Sequence, residues 1–167
     1  MSFEEPRKGA YVGEQTRKTD RVEILGIELE WKLRRSDTLD RYCVLVANLP
    51  PGAGVPVHQH PEQEAFFILE GKPEFAVENK SGTLAWRTVN PGEMVNIPPD
   101  TMHGFRNNSD RSVKALLTCE GGLANFFEEA GIPLAENAVP SPNVLPEAIH
   151  RVVEIAMKHG QRFAPQP

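Results

Sequence analysis

The chain has 167 residues, 40% of them hydrophobic, which suffices for one domain with a real core and gives no sign of two. Its formal net charge is −5 and its pI about 5.6; charges balance up to Arg41 and the excess acid follows, so no basic stripe is available for nucleic acid or a polyphosphate. The N-terminal MSFEEPRKGAYVGEQ has no apolar run, so neither a signal peptide nor a membrane span is expected, and a cytoplasmic location follows by default.

Residues 1–20 are polar and read as a loose arm. The run RVEILGIELEWKLRR, Arg21 to Arg35, is expected to form one long strand, with Ile24, Ile27, Leu29, Trp31 and Leu33 supplying apolar surface. Further strands are expected at Tyr42–Leu49, Val55–His60, Glu64–Glu70, Lys72–Glu78, Thr83–Val89, Glu93–Ile97, His103–Asn107 and Ser112–Glu120, nearly all separated by turn residues. Many short strands without intervening helices predict an all-β antiparallel sandwich or small barrel of the jelly-roll class. Cys43 and Cys119 fall in two of these apolar runs and read as buried free thiols, since no CxxC spacing or oxidising context is present.

After Glu120 the period changes. GGLANFFEEAGIP fits a short helix with Leu123, Phe126 and Phe127 on one side, stopped at Gly131. A linker from Ile132 to Pro142 follows, and then a helix beginning near Asn143 that accepts Pro146 in its first turn. It carries Ile149, Val152, Val153 and Ala156 on one stripe, to dock on the barrel or on a second subunit. His150 and His159 in this segment read as ordinary surface residues.

The chemistry concentrates in two blocks. In GAGVPVHQHPEQEAFFILEG, His58 and His60 stand two apart in an extended segment, so both imidazoles point to one face. An isolated pair of this kind also fits a solvated patch on a half-exposed strand. Glu64 changes the balance, because it opens an apolar run in which it would be buried, and buried carboxylates persist when paired or bound to a cation. The second block, PGEMVNIPPDTMHGFRN, brings His103 as a fourth candidate ligand. Three imidazoles and a carboxylate suit one divalent first-row metal, whether iron, manganese, nickel, copper or zinc.

These blocks resemble the cupin family. The first is similar to the motif G(X)5HXH(X)3E(X)6G at every specified position, through Gly52, His58, His60, Glu64 and Gly71. The second is similar to G(X)5PXG(X)2H(X)3N through Gly92, Pro98, His103 and Asn107, with Asp100 where the family usually has glycine. The resemblance implies a jelly-roll barrel (a double-stranded β-helix) over 21–120, preceded by the 1–20 arm and followed by a helical extension over 121–167. Among small metal cupins it points to the quercetin-dioxygenase-like type. There an enol, polyphenol or diketone-like substrate would bind the metal, and Glu64, the catalytic residue, would take its proton. Cupins with like ligands also isomerise sugars, decarboxylate small acids or only bind a ligand. Thiol-oxidising cupins typically lack the motif glutamate and are set aside.

Phe66, Ile68 and Phe105 suggest an apolar pocket beside the ligands, although the same residues could be plain core. Arg87, Arg106 and Arg111 are the nearest cations, and Arg106 should face away from His103 and Phe105, so a phosphosugar is not expected. The expected partners are a small-molecule substrate and, through pairing of the long first strand, a second copy of the chain in a homodimer.

Overall fold

The computed structural model describes residues 20–141 and 143–164; apart from Asp20, the expected N-terminal arm lies outside these residues. Twelve strands and two helices follow in chain order. The strands up to the first helix are β1 (Arg21–Ile24), β2 (Ile27–Leu33), β3 (Tyr42–Leu49), β4 (Gly54–Gln59), β5 (Glu64–Glu70), β6 (Glu74–Val77), β7 (Trp86–Thr88), β8 (Met94–Ile97), β9 (His103–Arg106) and β10 (Val113–Glu120). Then come α1 (Gly121–Ala130), β11 (Ile132–Pro133), α2 (Pro146–Lys158) and β12 (Arg162–Phe163).

The strands build two antiparallel sheets, one ordered β11-β1-β2-β3-β10-β5-β8 and the other β12-β4-β9-β6-β7. This is the all-β jelly-roll arrangement with short C-terminal helices. Alternation decides which side chains meet between the sheets: Leu45 and Phe66 both stand opposite Leu117 on β10, and all three are buried. Across the interior Phe66 meets Phe75 and Phe105 of the other sheet, with ring centroids 5.1 and 5.3 Å apart. Such tilted aromatic contacts join the two layers with directional as well as hydrophobic energy.

The expected long strand 21–35 is instead a hairpin. Leu25 and Gly26 have φ of 51° and 79°, the paired positive values of a two-residue hairpin turn, and Ile24 lies opposite Ile27. The sign of this in the sequence is a change of parity, since apolar positions move from even numbers (Val22, Ile24) to odd ones (Ile27, Leu29, Trp31). Strand β1 is flanked by β2 on one side and by β11 on the other, where Val22 faces Pro133 and Glu23 faces Ile132. The edge from which a homodimer was expected is therefore covered by the chain itself.

Helix α2 starts at Pro146 rather than near Asn143, because the residue before a proline is pushed out of the helical region; Leu145 is extended at φ −78°, ψ 148°. The helix packs against α1, and Val152 and Ala156 of the expected stripe are buried while Ile149 stays largely exposed. Cys43 and Cys119 are free, buried and directly opposite on β3 and β10, and their sulfur contact and burial push the Cys119 thiol upward. Among the described residues no helix is long and apolar enough to cross a membrane.

Candidate metal centre

His58 sits near the end of β4, His60 just beyond it, Glu64 at the start of β5 and His103 at the start of β9. Strand β4 pairs with β9 so that His58 lies directly opposite His103. The turn at residues 61–63 then brings the chain back to the seven-stranded sheet, placing Glu64 beside them. The four side chains belong to residues only 6, 2, 4 and 0% exposed for His58, His60, Glu64 and His103. One ring nitrogen from each histidine lies within 4.8 Å of the other two. Glu64 Oε1 stands 2.9 Å from His103 Nε2 and 3.4 Å from His60 Nε2.

The outward nitrogens are tied down. His58 Nδ1 donates to the Pro56 carbonyl at 2.9 Å and His103 Nδ1 to the Thr101 carbonyl at 2.8 Å. A carbonyl can only accept, so each bond places the proton on Nδ1 and leaves Nε2 with a lone pair directed inward. Both ring nitrogens of His60 and Nε2 of His103 are buried without a hydrogen-bond partner among the described residues. The contact of His103 Nε2 with Glu64 is short but misdirected for a hydrogen bond. Buried unpaired polar atoms are costly and uncommon, and three converging imidazoles with a carboxylate against two of them are a donor set that suits a divalent cation. The residues present therefore fit a metal.

Electrostatics favour the donating form at His58 and Glu64. Burial lowers the His58 pKa to about 4, helped by repulsion from His103. Burial alone would raise that of Glu64, but the His103 and His60 imidazoles hold it down at about 2. For His60, burial pulls downward but Glu64 and Glu62 prevail and its pKa rises. At neutral pH the set thus offers a neutral His58 and an ionised Glu64, the forms that can donate electron pairs.

The two blocks are held by specific local structure. Gly52, Gly71 and Gly92 all have φ near +80 to +90°. Asp100, in the place of the usual glycine, adopts φ 55°, a region Asp tolerates better than most residues. Asn107 is fully buried, donating to the Leu49 and Arg111 carbonyls at 3.0 and 2.8 Å and accepting from Ser109. It clamps the end of β9 rather than joining the ligands.

A cavity of about 150 Å³ opens on the cluster, with His58, His60 and Glu64 in its wall. Phe66 and Phe105 line it, whereas Ile68 is fully buried in the core and is not part of the lining. Glu64, Phe66 and Ile68 do share one face of β5, but Ile68 lies a further two positions from the ligand end. The sequence reading missed a further part of the lining: Leu123, Phe126 and Phe127 of α1, Val152 of α2, Gln161 and Phe163. Their apolar spacing marks helices and a strand, but nothing in it says where these dock. Among the described residues no Lys or Arg is in the lining; Arg106 instead pairs with Glu74 at 2.7 Å and lies over the Trp86 ring at 4.0 Å. His150 is exposed, and His159 bonds to Glu129 at 2.8 Å.

A family model of the cupin domain matches residues 45–119, the span that carries all four side chains. Residues 45–119 are a cupin domain. Among curated relatives, the acireductone dioxygenase of Bacillus licheniformis is 36% identical over 75 residues, covering 43% of this chain and 42% of that one. That of Bacillus pumilus is 35% identical over 75 residues, covering 43% of each. This cupin thus matches less than half the length of those relatives. Among solved structures, a predicted oxalate decarboxylase from Thermotoga maritima aligns with 64% of this chain and 98% of its own at 19% identity and a TM-score of 0.53. A protein from Photorhabdus luminescens aligns with 66% of this chain and 88% of its own at 15% identity and a TM-score of 0.54. At those identities the two structures speak for the cupin fold alone.

Proposed function

We propose that this cupin is a metal-dependent dioxygenase acting on a small enol, polyphenol or diketone-like substrate with an uncharged, apolar body. The observation that carries the reading is that His58, His60 and His103 converge with Glu64 against two of them, and that His58, His60 and Glu64 stand in the wall of a mostly apolar cavity. Likeness to acireductone dioxygenases supports it, since a reductone is an enediol beside a carbonyl and belongs to the same substrate class. The cavity, about 150 Å³, is of a size that holds a benzene ring when lined by apolar side chains. Among the described residues no Lys or Arg is in its lining, so no cationic side chain there favours a phosphate.

A divalent metal held by the three Nε2 atoms and the Glu64 carboxylate would supply Lewis-acid and redox chemistry toward the substrate oxygens and dioxygen. The chain's own residues do the rest. Pro56 and Thr101 carbonyls keep the His58 and His103 rings in one tautomer and orientation. Glu64 Oε1 faces the imidazoles, so Oε2 is assigned the base role: the substrate O–H breaks, its proton moves to Oε2, and the electron pair stays on the substrate oxygen. Phe66, Phe105 and the helical wall hold the substrate body and keep bulk water away from the anion.

The test is metal content and oxygen uptake, measured on the same preparations of wild type and Glu64→Gln, against enediols, polyphenols, diketones and small acids. The amide can still coordinate but cannot accept the proton, so the variant should keep much of its metal and lose roughly a hundredfold to ten-thousandfold in rate. Full activity in Glu64→Gln would remove the base role. A metal-loaded wild type that consumes no oxygen with any substrate class would favour isomerase, decarboxylase or pure binding chemistry.

A further inference from the structure

We infer that Glu62 is a positioning residue for the metal centre: it orients His60 through Nδ1 and is itself held in place by the first turn of α1. The inference rests on the metal reading above and extends it to a residue outside the ligand set.

The three histidines are not supported alike. Carbonyls orient His58 and His103, each through Nδ1, whereas among the described residues neither ring nitrogen of His60 has a well-formed hydrogen bond. What faces His60 Nδ1 is the Glu62 carboxylate, with Oε2 at 3.6 Å. That separation is an electrostatic contact rather than a formed hydrogen bond, and a small side-chain rotation closes it. The Glu62 side chain is itself largely buried, at 16% exposure, which a free surface carboxylate would not be. An anion behind an imidazole fixes its tautomer, directs the other nitrogen at the metal and strengthens it as a donor.

The hold on Glu62 comes from a close approach of backbone. A Cβ added to Gly122 would lie 2.3 Å from Glu62 Oε1 and 3.1 Å from its Cγ and Cδ, so the carboxylate occupies the space that any other residue there would fill. The 61–63 turn is also fastened to the end of β10: Gln63 N donates to Glu120 Oε2 at 3.0 Å, and Glu120 N donates to the Gln63 carbonyl at 3.1 Å. The wall of the cavity and the orientation of one ligand are therefore mechanically joined, since α1 contributes Leu123 and Phe126 to that wall.

Two substitutions separate this role from plain structural support. Glu62→Gln is isosteric and removes the charge; Gly122→Ala leaves Glu62 in the sequence but displaces its carboxylate. Zn²⁺ affinity is measured by competition with a chromophoric chelator, and apo-protein stability by thermal melting. Each variant should bind Zn²⁺ about ten- to a hundredfold more weakly. The double variant should lose little more than either alone, because both act through one contact. The apo melting temperature should be unchanged for Glu62→Gln and unchanged or higher for Gly122→Ala, Ala being the better helix former. Wild-type Zn²⁺ affinity in both variants overturns the role, as does an affinity loss that simply tracks apo instability. A wild type that retains no Zn²⁺ overturns the metal centre itself, a result distinct from either.

Discussion

Phe163 stacks on His58, with ring centroids 5.9 Å apart and planes inclined by 29°, and the two residues are register partners between β12 and β4. A strand from the far end of the chain thus adds itself to the ligand-bearing sheet and covers one imidazole. Ala164 N, donating to the Val57 carbonyl at 2.9 Å, fastens the same segment.

Phe163→Ala should therefore uncover His58 without dismantling the barrel. Phe163 is only partly buried, so the loss should be about 1–3 kcal/mol, below that of a full core aromatic. Metal should be stripped faster by a chelator in stopped-flow extraction. Unchanged extraction kinetics would mean that the C-terminal strand does not guard the centre.

Ile68→Ala and Phe105→Ala should behave differently. Ile68 is fully buried and away from the cavity, so its truncation should cost about 2–5 kcal/mol in denaturant unfolding and leave KM for an active substrate alone. Phe105 lines the cavity, and its truncation should raise KM severalfold or more. A KM change in Ile68→Ala matching that of Phe105→Ala would return Ile68 to the pocket.

Asn107→Ala removes two donated and two accepted hydrogen bonds at a fully buried position. Losing the bond to the buried Leu49 carbonyl should cost about 1–3 kcal/mol of folding stability. Because Asn107 is no ligand, metal stoichiometry of the folded variant should remain at the wild-type value. Loss of metal from still-folded protein would show that the clamp also sets the position of His103.

Asp100→Gly should be neutral or stabilising. The left-handed backbone costs a non-glycine residue on the order of 1–2 kcal/mol, and the added freedom of glycine in the unfolded chain offsets about 0.4–1 kcal/mol of the relief. Urea denaturation should show a change between zero and about +1.6 kcal/mol. A clear loss would assign the Asp100 side chain a stabilising contact.

Local sequence by itself determined which way each candidate ligand faces on its own strand, and the class of fold. His58 and His60 share a face because strand side chains repeat every two residues, and Glu64 and His103 each begin a run whose alternation turns it inward. Turn residues between short apolar runs dictated the antiparallel jelly roll in the same way, since each acts within a few residues of itself. The hairpin at Leu25-Gly26 was legible only as a parity change, and without it β1 passed for part of one long edge strand. Tertiary structure alone decided that α1, Gln161 and Phe163 close the cavity, that Ile68 lies outside it, and that Glu62 stands behind His60. Periodicity states which side of its own element a residue occupies, but not which distant element packs there; that is set by the burial of all the apolar faces together.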